Sequence, residues 1–173
     1  MARINNVYRR AREIVFSAQT LTALTAPLDA GSHAKRLASL KAAWRGLLQF
    51  DEHDFGGISA DMAEDTCETK AYYAHAAQHE GTCALEISIS TLTSLVPAQT
   101  GNGRTLLVAN PNNWRRNGIV EVVVPEAIQY EVIDRETACK FPASWRHAVR
   151  DGCSITCPLW QMMCLLLAIA PTW

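Results

Sequence analysis

Apolar side chains recur at three- and four-residue steps through the first part of the chain, where Val7, Ala11, Ile14, Val15, Ala18, Leu21 and Leu24 share one helical face. Pro27 closes this helix, because it has no amide hydrogen and its ring collides with the preceding turn. A second helix is predicted to open near Ser32. It buries Leu37, Leu40, Trp44, Leu47 and Leu48, with Lys35, Arg36, Lys41 and Arg45 mostly left to solvent. It runs into Asp51-Glu52-His53-Asp54-Phe55-Gly56-Gly57, where two adjacent glycines permit backbone angles closed to other residues and so a sharp turn. Ser59 can cap a third helix that carries Met62, Ala71, Ala74, Cys83, Leu85, Ile89 and Leu92, with an interruption at Gly81 and an end at Pro97.

Past Pro97 the period changes. Gln99-Thr100-Gly101-Asn102-Gly103 reads as a polar linker, and the short β-branched segments 105–109, 118–124 and 128–133 read as strands. Asn110-Pro111-Asn112-Asn113 supplies a turn, and Pro125-Glu126 separates the next pair. Helices followed by strands indicate an α+β chain: a three-helix bundle over 1–98, then the beginning of an all-β, sandwich-like domain over 99–173.

The 173 residues are 49% hydrophobic and 19% charged with formal net charge −1, the balance of a folded protein rather than a polyelectrolyte. Nucleic acid is not an expected partner, because Arg9-Arg10-Arg12 and Arg115-Arg116 are short clusters far apart in sequence. None of the six cysteines has C-x-x-C spacing, and Arg3 soon gives way to Asn5-Asn6 where a secretory signal would stand. Reduced thiols in the cytoplasm are the expectation. No membrane partner is expected either, since the apolar run 159–170 is shorter than the roughly 20 residues a helical span needs. That run reads as a strand or hairpin, or as the end of a truncated reading frame.

Two stretches carry a family likeness. Ala43-Trp44-Arg45-Gly46-Leu47-Leu48-Gln49-Phe50-Asp51-Glu52-His53-Asp54-Phe55-Gly56-Gly57 resembles the end of the second middle-domain helix and the following active-site loop of glycoside hydrolase family 38 α-mannosidases. The segment 107–122, with Asn110-Pro111, Trp114 and Arg115-Arg116 before a strand, is similar to the entry into that family's β domain. Two landmarks in the right order are more specific than either alone.

The resemblance implies a zinc-dependent retaining glycosidase that hydrolyses α-mannosidic bonds in a mannoside or mannose-containing oligosaccharide. In that family an N-terminal domain supplies a His-x-Asp pair and a nucleophilic Asp to zinc, and the middle domain adds a further His. By carry-over His53 is the metal ligand and Asp54 contacts sugar hydroxyls, while Phe55-Gly56-Gly57 departs from the commonest loops. The residues two places after His33, His53, His75, His79 and His147 are Lys35, Phe55, Ala77, Gly81 and Val149, so no His-x-Asp pair is present. The expectation is therefore a fragment whose catalytic domain is missing, with no catalytic residue of its own, inactive alone and prone to self-association. The alternative is a non-catalytic carbohydrate- or protein-binding module.

Plainer readings stand beside these. A loop histidine between acids is usually just hydrogen-bonded. Asp54 could make a local turn bond. His75 and His79 are four apart, but His-Ala-Ala-Gln-His lacks the Glu of a zincin, so a polar helix face is preferred. Asp51 and Glu52 are adjacent and point different ways, unlike the paired carboxyls of a glycosidase. Trp44 and Trp114 are read as packing residues rather than sugar platforms.

Overall fold

A computed structural model describes residues 2–52, 60–97, 104–114, 118–123, 130–134, 140–141, 143–146, 152–157 and 164–171. The chain divides into two compact units, Met1–Val96 and Pro97–Trp173. The first is a bundle of three helices: α1 (Ala2–Thr25), α2 (Ala30–Asp51) and α3 (Ala60–Ser94). The long α3 packs against both of the others along its length, whereas α1 and α2 touch each other less.

The helices meet on alanines interleaved with a few larger apolar side chains. From α1 come Ala11, Val15 and Ala18, from α2 Leu40, Ala43 and Leu47, and from α3 Ala77 and Ala84. Two glycines show how close the approach is. A Cβ on Gly46 would lie 2.8 Å from the backbone oxygen of Tyr73, and one on Gly81 would lie 2.8 Å from Val15 Cγ2. Both distances are shorter than packed atoms allow, so each glycine is a point where α3 touches a neighbouring helix.

This geometry corrects several expectations. α3 runs unbroken through Gly81, because that glycine serves a helix contact and the surrounding packing overrides its weak helix propensity. The buried stripe of α2 is Arg36, Leu40, Ala43, Gly46, Leu47 and Phe50. Leu37 and Leu48, expected in the core, are exposed, as is Leu24 on α1 and Met62 on α3. Leu40 and Leu47 are buried as expected, and between them Ala43 and Gly46 are the small residues that let the backbones approach. Arg36, expected in solvent, is fully buried. α2 also begins earlier than Ser32: the Asp29 carboxylate caps it by accepting the Ser32 backbone N–H at 3.1 Å.

In the second unit the described backbone forms β1 (Arg104–Ala109), β2 (Gly118–Val123), β3 (Tyr130–Asp134), β4 (Lys140–Phe141), β5 (Ala143–Arg146), β6 (Gly152–Cys157) and β7 (Cys164–Pro171). They pair antiparallel in two sheets, ordered β1-β7-β3-β4 and β2-β6-β5. β7, from the apolar C-terminal run, lies between β1 and β3 with Leu167 opposite Leu106. A strand paired on both edges suits such a run. Among the described residues no helix is long and apolar enough to cross a membrane.

Candidate functional site

His53 and Asp54, the residues that the sequence singles out, lie outside the described residues. What is described is the platform directly before them, the C-terminal end of α2. Three side chains converge there. Tyr8 from α1 stacks on Phe50, with ring centroids 4.2 Å apart and planes 9° from parallel. Its phenol donates a hydrogen bond to Asp51 Oδ2. Arg12, one turn along α1, holds its guanidinium 5.9 Å from the Tyr8 ring centroid. Burial, with the hydrogen bond to Asp51 second, pushes the Tyr8 phenol up to about 12.

Lys70 reaches the same helix end from α3. It is 4% exposed. Its ammonium donates to the backbone oxygens of Gln49 at 3.0 Å, Phe50 at 3.0 Å and Glu52 at 2.7 Å. The Glu52 carboxylate lies 3.6 Å away, and the Glu52 backbone N–H returns to Leu48 O at 3.1 Å. The last carbonyls of a helix have no partner within it, and its C-terminus carries partial negative charge, so a buried cation answers both needs.

The opposite end of α2 holds another buried cation. Arg36 donates through Nη1 to Asp29 Oδ2 at 3.3 Å and Thr91 Oγ1 at 3.2 Å, and through Nη2 to Asp29 O at 2.8 Å and Thr25 O at 3.4 Å. The Asp29 carboxyl is held below its usual range, first by its hydrogen bonds with Ser32 and then by those with Thr91 and Arg36. Beside this cluster an open cleft of about 600 Å³ is lined by Leu28, Asp29, Glu86, Ser90, Thr91 and Leu95 among others.

Other sequence candidates fall elsewhere. His75 and His79 are exposed on α3. His79 Nε2 lies 3.8 Å from Cys83 Sγ one turn on. Among the described residues no three His, Cys, Asp or Glu side chains gather to hold a metal. Asp51 and Glu52 do not form an acid pair, since one accepts from Tyr8 and the other faces Lys70. Trp44 packs as expected, edge-on to Phe16 at 5.2 Å with its indole N–H on Gln19 Oε1 at 2.8 Å. Trp114, also expected to pack, is 63% exposed. Its backbone oxygen is held by the Asn110 amide at 2.8 Å, in a turn closed by the Asn112 N–H on Asn110 Oδ1, so the turn fixes the main chain and leaves the ring outside. Tyr8 and Lys70 were missed as site residues. The signal for Lys70 was its phase, since it continues the buried stripe of Ala74, Ala77, Gly81 and Ala84.

The fold so built is a three-helix bundle followed by antiparallel strands. No protein-family model and no curated protein sequence matches the chain. Among solved structures, an α-mannosidase from Enterococcus faecalis V583 is similar over 96% of this chain, with TM-score 0.59 and 14% identity. The chain covers 22% of that protein's length. At this identity the likeness is one of fold: the chain folds like a stretch of an α-mannosidase.

Proposed function

We propose that the chain is the helical middle domain (1–98) and the start of an all-β, sandwich-like domain (99–173) of a zinc-dependent, retaining α-mannosidase of the family 38 type. It would act on α-mannosides together with a catalytic domain that these residues do not include. The observation that carries this reading is the fold likeness to an α-mannosidase over 96% of the chain. The two sequence landmarks, at 43–57 and 107–122, lend it support independently of the fold.

In this reading His53 offers zinc one imidazole, and Asp54 accepts from sugar hydroxyls. The donor chemistry fits a contribution of one ligand. Histidine is a common zinc ligand, while Asp51 and Glu52 just before it are engaged by Tyr8 and Lys70. Zinc, when bound, would supply a Lewis acid that holds sugar oxygens. This chain's part is to present His53 and Asp54 from the end of a helix braced by Tyr8 and Lys70.

The test is zinc content after joining the chain, by fusion or in trans, to an α-mannosidase catalytic domain bearing the His-x-Asp pair. The joined protein should bind zinc, lose it in His53→Ala and keep it in His75→Ala and His79→Ala. Retention in His53→Ala, or loss in either helical variant, would overturn the assignment. The chain alone should show no activity on an aryl α-mannoside, with or without zinc, and activity that followed it through purification would count against the need for another domain.

A further inference from the structure

We infer that Lys70 is a positioning residue, whose ammonium, inserted from α3 against the last turn of α2, sets the backbone from which the chain enters residue 53. The inference rests on His53 as the zinc ligand and deepens that reading by naming the group that holds its approach.

A lysine ammonium has three hydrogens, and three carbonyl oxygens lie at hydrogen-bond distance from Lys70 Nζ: those of Gln49, Phe50 and Glu52. Helix ends ordinarily fray. Here each of the three residues before His53 is held from another helix. Phe50 is held by Tyr8 stacking and by Lys70, Asp51 by the Tyr8 phenol, and Glu52 by Lys70. The position of the cation is informative as well. Lys70 lies in phase with Ala74, Ala77 and Gly81, where an apolar side chain would meet no desolvation cost, and lysine is seldom so buried unless paired. Core packing alone does not account for a cation there. Its three carbonyl bonds give it a task that an apolar side chain could not perform, because only a donor can partner the carbonyls that the helix end leaves open.

The test uses the full chain with ¹⁵N-labelled histidine imidazoles, His53 assigned by its loss in His53→Ala, and amide exchange followed by NMR. In folded Lys70→Met, amides 50–52 should exchange at least ~10-fold faster relative to those in mid-α2 and the His53 signals should move, with Lys70→Arg restoring part of both. Arg36→Met, which lowers the stability of the whole bundle, should speed exchange at 50–52 and in mid-α2 alike, leaving their ratio and the His53 signals in place, and so separates positioning from general stability. Unchanged amides and His53 signals in Lys70→Met, or equal changes in Arg36→Met, would overturn the inference. If Lys70→Met does not fold, the wild type decides. Amides 50–52 exchanging within ~10-fold of those in mid-α2 support the clamp, and exchange ~100-fold faster refutes it. Zinc content of the chain joined to a catalytic domain tests the underlying reading separately, because one imidazole alone holds zinc weakly. If His53→Ala keeps the zinc of the joined protein, the metal assignment fails while the result on Lys70 stands.

Discussion

The two ends of α2 each bury a cation, and they bury it differently. At the start of the helix Arg36 is fully enclosed and faces a carboxylate, Asp29, which also caps the helix and shares Thr91 with it. Charge is matched by charge, and α1, α2 and α3 are tied together through Thr25, Asp29 and Thr91. At the other end Lys70 meets chiefly main-chain oxygens, with the Glu52 carboxylate at 3.6 Å and 45% exposed. The first arrangement is a brace, the second a seat for the last turn of α2. A guanidinium suits the brace because its planar fork reaches several acceptors at once, and an ammonium suits the seat because its three hydrogens can converge on successive carbonyls.

The largest expected effect falls at the brace. Arg36→Met should destabilise the bundle by about 3 kcal/mol, since it removes the hydrogen bonds that a fully buried guanidinium makes to Asp29, Thr91 and Thr25. Thermal unfolding followed by helical circular dichroism measures it. A loss below about 1 kcal/mol would show that the ion pair does little beyond filling space. Lys70→Met should cost less, about 2 kcal/mol, because the carbonyls it abandons lie at a helix end that water can reach. A larger loss there than at Arg36 would reverse the comparison.

Between the two ends, Gly46→Ala should cost about 1–2 kcal/mol, even though alanine favours helix by about 1 kcal/mol over glycine. The new methyl meets a main-chain oxygen at 2.8 Å, which cannot turn aside as a side chain could. Stabilisation in denaturant titration would mean that the α2–α3 contact yields easily.

The ends should also differ in pH response. The Asp29 carboxyl is depressed in the folded chain, so its stabilisation is present above its unfolded value and is lost as pH falls through the lower folded value. Asp29→Asn should flatten the acid limb of the stability profile below about pH 4. The Tyr8 phenol is raised from 10.0 to about 12, so its contribution is complete below pH 10 and is lost between there and 12. Tyr8→Phe should remove that alkaline loss, the smallest of these effects, and a phenolate titrating late in the wild-type ultraviolet spectrum should vanish with it. An unchanged spectrum would remove the Tyr8–Asp51 contact from the seat.

Exposed apolar side chains bear on the expectation of self-association. Phe16, Leu37 and Leu48 are about half exposed or more, and sedimentation at rising concentration tests whether the chain associates. A monomer throughout would set that expectation aside.

Much of the bundle was legible in the chain before folding. The three- and four-residue steps marked three helices, the proline at 27 marked the first turn, and the change to β-branched segments marked the second unit, because these signals are local and depend on each residue's own backbone preferences. The candidate ligand, His53, was legible only by resemblance. The inward stripe of α1 was legible too, since Ala11, Val15, Ala18 and Leu21 are buried as their spacing predicts, whereas those of α2 and α3 were disclosed only in part. Leu37 and Leu48 drew attention by size, whereas Arg36, Gly46, Lys70 and Gly81 hold the buried positions. Size and hydrophobicity are properties of one residue, but the closeness of two helices is a property of both, so only tertiary packing could show where small residues were needed. The same holds for the buried cations. That Arg36 would meet Asp29 and Thr91, and Lys70 the carbonyls of 49, 50 and 52, depends on partners up to 55 residues apart that only the fold brings together.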